Sequence, residues 1–137
     1  AALAEGIHAK KHAAAIEKLG AKPTADIGKP AVKSTRENLE AALAGETYEK
    51  DVMYPEFIKI AKADMNTQAT RSFKAALAAE VEHAKLYKQA LAELESWRPA
   101  GKAFMVCQIC GYTVLSSPSL ANCPICAAPK EKFTLVK

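Results

Sequence analysis

Two stretches of this chain put carboxylates where an amphipathic helix keeps its apolar side chains. In Ala79-Glu80-Val81-Glu82-His83-Ala84-Lys85, Glu80 and His83 fall on the stripe marked by Phe73, Leu77, Tyr87, Leu91 and Leu94. In Gly45-Glu46-Thr47-Tyr48-Glu49, Glu46 and Glu49 fall on the stripe marked by Leu39, Leu43, Met53, Phe57 and Ile60. A buried, unpaired carboxylate is costly unless it is neutralised or binds a cation. Two helices making that choice together point to a shared cation. Glu-x-x-His on one bundle helix with Glu on another is the construction of two-metal carboxylate sites.

An internal repeat strengthens the case. Shifted by 75 positions, Ala4-Glu5-Gly6-Ile7-His8-Ala9-Lys10 falls on residues 79–85 with five of seven positions identical. Residues three apart share a helical face, so Glu5 with His8, and Glu80 with His83, can each grip one ion. Oxygen-rich donors with some imidazole suit iron or manganese better than soft metals. Four glutamates carry the charge that two divalent cations cancel. His12, the third histidine, lies one turn beyond His8 and is expected beside the ligands or at the surface. Glu82 is expected to face solvent. Tyr54 and Tyr87 are placed to donate a hydrogen bond to a ligating carboxylate.

The helical part reads as three helices, over about 1–19, 35–64 and 67–97. Gly20 suits the first C-terminus, Ser34-Thr35-Arg36-Glu37 is a capping box for the second, and Asn66-Thr67 restarts the chain. Pro55 should kink the second helix or open one of its hydrogen bonds. A bundle of two hairpins needs four helices. The repeat therefore predicts a first helix upstream of Ala1, cleaved off, encoded separately or supplied by a partner. Residues 98–102 read as a linker between a domain at 1–98 and a second at 103–137.

All four cysteines of the 137 residues lie in the second part, as Cys107-x-x-Cys110 and Cys123-x-x-Cys126. That is the arithmetic of a tetrahedral thiolate site, for iron or zinc, and it fits a reducing compartment. Gly111 and Pro124 suit two tight knuckles, and Phe104, Tyr112 and Phe133 can wall the site. The net charge of +4 comes without a basic, aromatic-interleaved run, so no nucleic-acid footprint is present. No apolar run reaches the length of a membrane span.

Taken together, the two parts resemble the rubrerythrin family: a ferritin-like di-iron bundle followed by a rubredoxin-like domain. Glu5-x-x-His8, Ala44-Gly45-Glu46-Thr47-Tyr48-Glu49 with Met53-Tyr54-Pro55, and Glu80-x-x-His83 look like that family's second, third and fourth helices. The resemblance implies a mainly α fold, with Glu5, His8, Glu46, Glu49, Glu80 and His83 as ligands of two non-haem irons. It implies one further iron on Cys107, Cys110, Cys123 and Cys126, and favours iron over zinc there. The activity it implies is a cytoplasmic peroxidase that reduces hydrogen peroxide to water with electrons from a reductase. Glu49 and Tyr54 are the residues placed to relay protons. The alternative is a ferroxidase or iron-binding electron-transfer protein. The length of a bundle makes transfer within one chain the slower route. The expectation is therefore a homodimer, with helices exchanged or not, in which one chain's cysteine module lies beside the other's di-metal site.

Overall fold

A computed structural model describes residues 1–97, 101–117 and 119–137. Helix α1 runs over Ala2–Lys18 and stops where Gly20 takes a φ of +78°. Glu17 and Ile16 accept the last amides there. An extended connection leads to Ser34, whose hydroxyl accepts from the Glu37 amide while the Glu37 carboxylate accepts from the Ser34 amide. This capping box opens α2, Thr35–Tyr48. Asn66 accepts from the Ala69 amide and opens α4, Thr67–Ala92. A short turn, α5, follows over Leu94–Trp97.

The second expected helix is not uniform. Between α2 and α3, Tyr54–Ala63, the chain makes a π-helical turn over Glu49–Met53. The Tyr54 amide reaches back five residues to Glu49, and Pro55, without an amide hydrogen, follows it. The wide turn absorbs one extra residue and advances the buried stripe by one position. Met53, Phe57 and Ile60 were expected inside. Instead Tyr54, Ile58 and Ala61 are buried, while Phe57 and Ile60 are exposed.

Helix α4 is the hub, packing against α1, α2 and α3. Its buried face is lined by Ala76, Ala79, Ala84 and Ala90, with Glu80 and His83 among them. Small side chains let the neighbouring helices approach closely. Phe73, Leu77, Tyr87 and Leu91 flank this face half-buried rather than centring it. None of the described helices is long and apolar enough to cross a membrane.

The linker expected at 98–102 lies partly outside the described residues, at 98–100. Beyond it, β1 (Phe104–Cys107), β2 (Thr113–Leu115) and β3 (Phe133–Val136) form an antiparallel sheet of order β2-β1-β3. Tyr112 and Phe133 pack on the cysteines as expected. Phe104 does not: its ring sits 6.1 Å from that of Trp97, on the bundle side. The sheet lies against the bundle, with β2 on α4 and β1 on α1.

Candidate metal centres

The cysteine site is built locally. Cys110 and Cys123 sulfurs lie 3.5 Å apart, and those of Cys107 and Cys126 3.6 Å. That is near the edge, about 3.8 Å, of a tetrahedron with metal–sulfur bonds of about 2.3 Å. It is too long for a disulfide, and all four thiols are free. Backbone amides of Ile109 and Cys110 hydrogen-bond the Cys107 sulfur, that of Tyr112 the Cys110 sulfur, and that of Ala128 the Cys126 sulfur. Such donors stabilise thiolate. Burial pushes the Cys110 and Cys107 thiols up, whereas at Cys126 burial is outweighed by the Ala128 amide and the neighbouring cysteines, which hold it below the ordinary thiol.

The second centre draws on three helices. One donor atom from each of Glu5 (α1), Glu46 (α2), Glu80 and His83 (α4) lies within 4.8 Å of the others. Glu80 is shared between the two histidines: Oε1 is 2.9 Å from His8 Nδ1, and Oε2 is 2.7 Å from His83 Nδ1. Glu5 does the same at longer range, with Oε2 3.2 Å from His8 Nδ1 and Oε1 3.8 Å from His83 Nδ1. Glu46 Oε1 joins the His83 side at 3.4 Å. The donors thus define two adjacent positions, one headed by each imidazole, with two carboxylates spanning both.

The outer nitrogens fix the tautomers. His8 Nε2 lies 3.1 Å from the carbonyl oxygen of Cys110. His83 Nε2 lies 3.3 Å from the carbonyl oxygen of Gly111 and 3.0 Å from Thr113 Oγ1. A carbonyl can only accept, and Thr113 already donates its hydroxyl to Gly111. Both Nε2 atoms therefore donate, and both Nδ1 atoms face the carboxylates, where each offers a lone pair once its proton is shed. This is how metal-ligating histidines are oriented.

Charge and satisfaction say the same. Both oxygens of Glu80, one each of Glu5 and Glu46, and His83 Nδ1 are buried, held by histidine–carboxylate ion pairs and by no hydrogen bond of good geometry among the described residues. Glu80 is fully buried, at 0% exposure. Such a cluster is costly without a cation. In the metal-free protein, protons take that part. Burial would lower the pKa of His8, but Glu5 and Glu80 lift it to about 10. Burial would likewise lower His83, but Glu46 and Glu80 lift it to about 9. Burial would raise Glu80, yet the two histidines hold it at about 2. Burial and the neighbouring carboxylates raise Glu49 to about 7, and burial raises Glu46. The donor set fits a pair of divalent cations.

Rubrerythrin describes the family model that matches residues 1–91, and the rubrerythrin rubredoxin-like domain the one that matches residues 106–134. This chain belongs to the rubrerythrin family. Rubrerythrin-2 of Clostridium acetobutylicum is 33% identical over 136 residues, 96% of this chain and 72% of that protein. Nigerythrin of Nitratidesulfovibrio vulgaris is 37% identical over 113 residues, 82% of this chain and 54% of that one. A solved structure of fully reduced, all-ferrous nigerythrin superposes with a TM-score of 0.88 at 34% identity, covering 98% of this chain and 66% of that one. The chain thus spans little more than half of the nigerythrin sequence and just under two thirds of its solved chain. As in this family, the carboxylate–histidine cluster is the place of a di-iron centre and the cysteines that of a rubredoxin-type iron.

Three placements bear on the expected roles. Glu49, in the π turn, is half-buried and outside the tight group, though it faces Glu80, Glu5 and Glu46. Tyr54 pairs its hydroxyl with His12 Nε2 at 3.3 Å, not with a carboxylate, among the described hydrogen bonds. The chain's own cysteine module sits directly on its own helical centre. Glu82 does turn outward, paired with Lys85. Nothing in the sequence marks Thr113 or the carbonyls of Cys110 and Gly111, because their role comes from packing across the two domains.

Proposed function

We propose that this chain is the catalytic part of a non-haem di-iron peroxidase of oxidative-stress defence, which reduces hydrogen peroxide to water. The observation that carries the reading is the seat of the cysteine module: Cys110 and Gly111 offer their carbonyls to the two histidines of the carboxylate centre. A site for one-electron exchange thereby touches a site able to hold two ions. Bound iron would supply the two electrons and the Lewis acidity that peroxide cleavage needs.

The residues have distinct tasks in this reading. Glu5, His8, Glu46, Glu80 and His83, with Glu49 at the edge of the group, would hold the pair of ions. Cys107, Cys110, Cys123 and Cys126 hold the single ion. His8 Nε2–H···O=C Cys110 joins the two centres through one hydrogen bond. Glu49, able to keep a proton near neutral pH, and the Tyr54 phenol are the proton donors closest at hand. Domains at 1–98 and 103–137, a reductase donor, a cytoplasmic setting and a homodimeric assembly complete the proposal.

The test is turnover of the iron-loaded, reductase-fed protein with peroxide and, separately, with dioxygen. Faster oxidation by peroxide, with water as product, supports the peroxidase. Faster oxidation by dioxygen with iron retained as ferric mineral favours the ferroxidase alternative.

A further inference from the structure

His12 is a histidine that neither metal centre uses, and its surroundings are specific. Its Nδ1 lies 2.9 Å from Ser72 Oγ, and its Nε2 lies 3.3 Å from Tyr54 Oη. The imidazole is fixed by rings on two sides, Phe73 at 5.1 Å and Tyr54 at 6.0 Å between centroids. Three elements meet here: α1 brings His12, α3 brings Tyr54 and α4 brings Ser72. Ser72 and His12 are half-buried, while Tyr54 is only 4% exposed. The chain of hydroxyl, imidazole and phenol therefore leads from the rim of the bundle inward. At its inner end Tyr54 closes the π turn that begins at Glu49, its amide bonded to the Glu49 carbonyl, and burial, with the charges of Glu80, Glu49, Glu5 and Glu46, raises the pKa of its phenol.

Resting on the peroxidase reading, we propose that Ser72, His12 and Tyr54 form the proton inlet of the carboxylate centre. Reduction of peroxide breaks the O–O bond and makes two O–H bonds, so two electrons and two protons are consumed for each pair of waters. The electrons enter on the His8 side through the cysteine module. The protons enter one helical turn further along α1. In the inlet Ser72 donates to His12 Nδ1, His12 Nε2–H donates to Tyr54, and the Tyr54 hydroxyl proton is left for a carboxylate. When a carboxylate gives its proton to the departing oxygen, Tyr54 replaces it, His12 replaces that of Tyr54 through Nε2, and Ser72 passes one from water to Nδ1. Rotation of the hydroxyls, with exchange of the imidazole back to its Nε2–H tautomer through water at the rim, resets the path for the second proton. His12 and Ser72 act through Tyr54 and touch no reacting atom.

The chain, iron-loaded and reduced, tests this in a single turnover with peroxide. His12→Ala and Ser72→Ala should each slow reoxidation by about tenfold or more and raise the solvent deuterium isotope effect. Added imidazole should restore the rate of His12→Ala and leave the wild type unchanged. Visible spectra and iron content should not move. Wild-type kinetics in both variants, or slow kinetics that imidazole fails to restore, would overturn the inlet. A readout free of iron chemistry is nitrogen NMR of the metal-free chain. It should show the His12 ring as the neutral Nε2–H form, with a Nδ1 resonance that shifts in Ser72→Ala. A His12 ring insensitive to Ser72→Ala would overturn the proposal, even if the wild type proved inert to peroxide and the peroxidase reading failed separately.

Discussion

His8 and Cys110 stand 102 residues apart in sequence and share one hydrogen bond: the imidazole Nε2 donates to the cysteine's carbonyl oxygen at 3.1 Å. The contact does two things at once. It points His8 Nδ1 at Glu80 and Glu5, and it connects the two metal sites through a single histidine and one peptide group. His83 repeats the arrangement with Gly111 and Thr113.

Close approach at this junction depends on Gly111. Its φ of +80° favours glycine, yet the corresponding residue of the second knuckle, Ala127, holds a φ of +58° with a Cβ. The turn alone does not demand glycine. A Cβ on Gly111 would overlap the His8 imidazole. Gly111→Ala should therefore leave the tetrathiolate iron spectrum intact and slow electron transfer to the helical centre by about tenfold or more. Flash reduction of the cysteine site would read it, and an unchanged transfer rate would sink the idea.

Thr113 holds the opposite histidine. It is buried, accepts from His83 Nε2 and donates to Gly111. Thr113→Val keeps the shape and removes the acceptor. Affinity of the helical centre for ferrous or manganous ion should fall by roughly tenfold, the scale of such supporting contacts. Thr113→Ser should recover it. Titration calorimetry of the three proteins decides.

Glu80→Gln tests the sharing of one carboxylate between two positions. The amide keeps the volume and loses the charge seen by both histidines. Iron at the helical centre should drop from two per chain to one or none, while the cysteine iron stays. Full retention of three irons would contradict a spanning role for Glu80.

The metal-free protein should have an inverted pH profile. His8 and His83 have folded pKa values of about 10 and 9 against 6.5 unfolded. A raised pKa stabilises fully below the unfolded value and is lost as pH rises through the folded one. Glu49, at about 7 against 4.5, acts in the same direction over a lower window. Glu80, at about 2, acts oppositely, and its share is lost only below pH 4.5. Thermal unfolding of the metal-free chain should therefore weaken steadily from about pH 5 to pH 10. The iron-loaded chain should gain affinity over the same range, because its ligands must shed protons. A metal-free protein that gains stability from pH 6 to 9 would contradict this.

Much of this architecture can be read from local sequence. Cys-x-x-Cys spacing, Glu-x-x-His spacing and the Ser34 capping box depend on residues a few positions apart, and each appears in the structure as expected. The stripe through Met53, Phe57 and Ile60 does not, because one π turn at Glu49–Met53 moves it onto Tyr54, Ile58 and Ala61. A 3.6-residue period cannot reveal one inserted position. The seat of the cysteine module is equally invisible, since His8–Cys110 and His83–Thr113 are long-range contacts with no pattern of their own. So is the partner of Tyr54: spacing puts its hydroxyl near carboxylates, and only packing shows His12 taking it.

The pairing of a two-ion carboxylate centre with a tetrathiolate iron is tested most directly by Mössbauer spectroscopy of the chain loaded with iron-57 and reduced without oxygen. High-spin ferrous iron in oxygen–nitrogen coordination and in sulfur coordination is expected at a ratio of two to one. Sulfur-coordinated iron alone, in a folded chain with Glu46, Glu80 and both histidines intact, would contradict it.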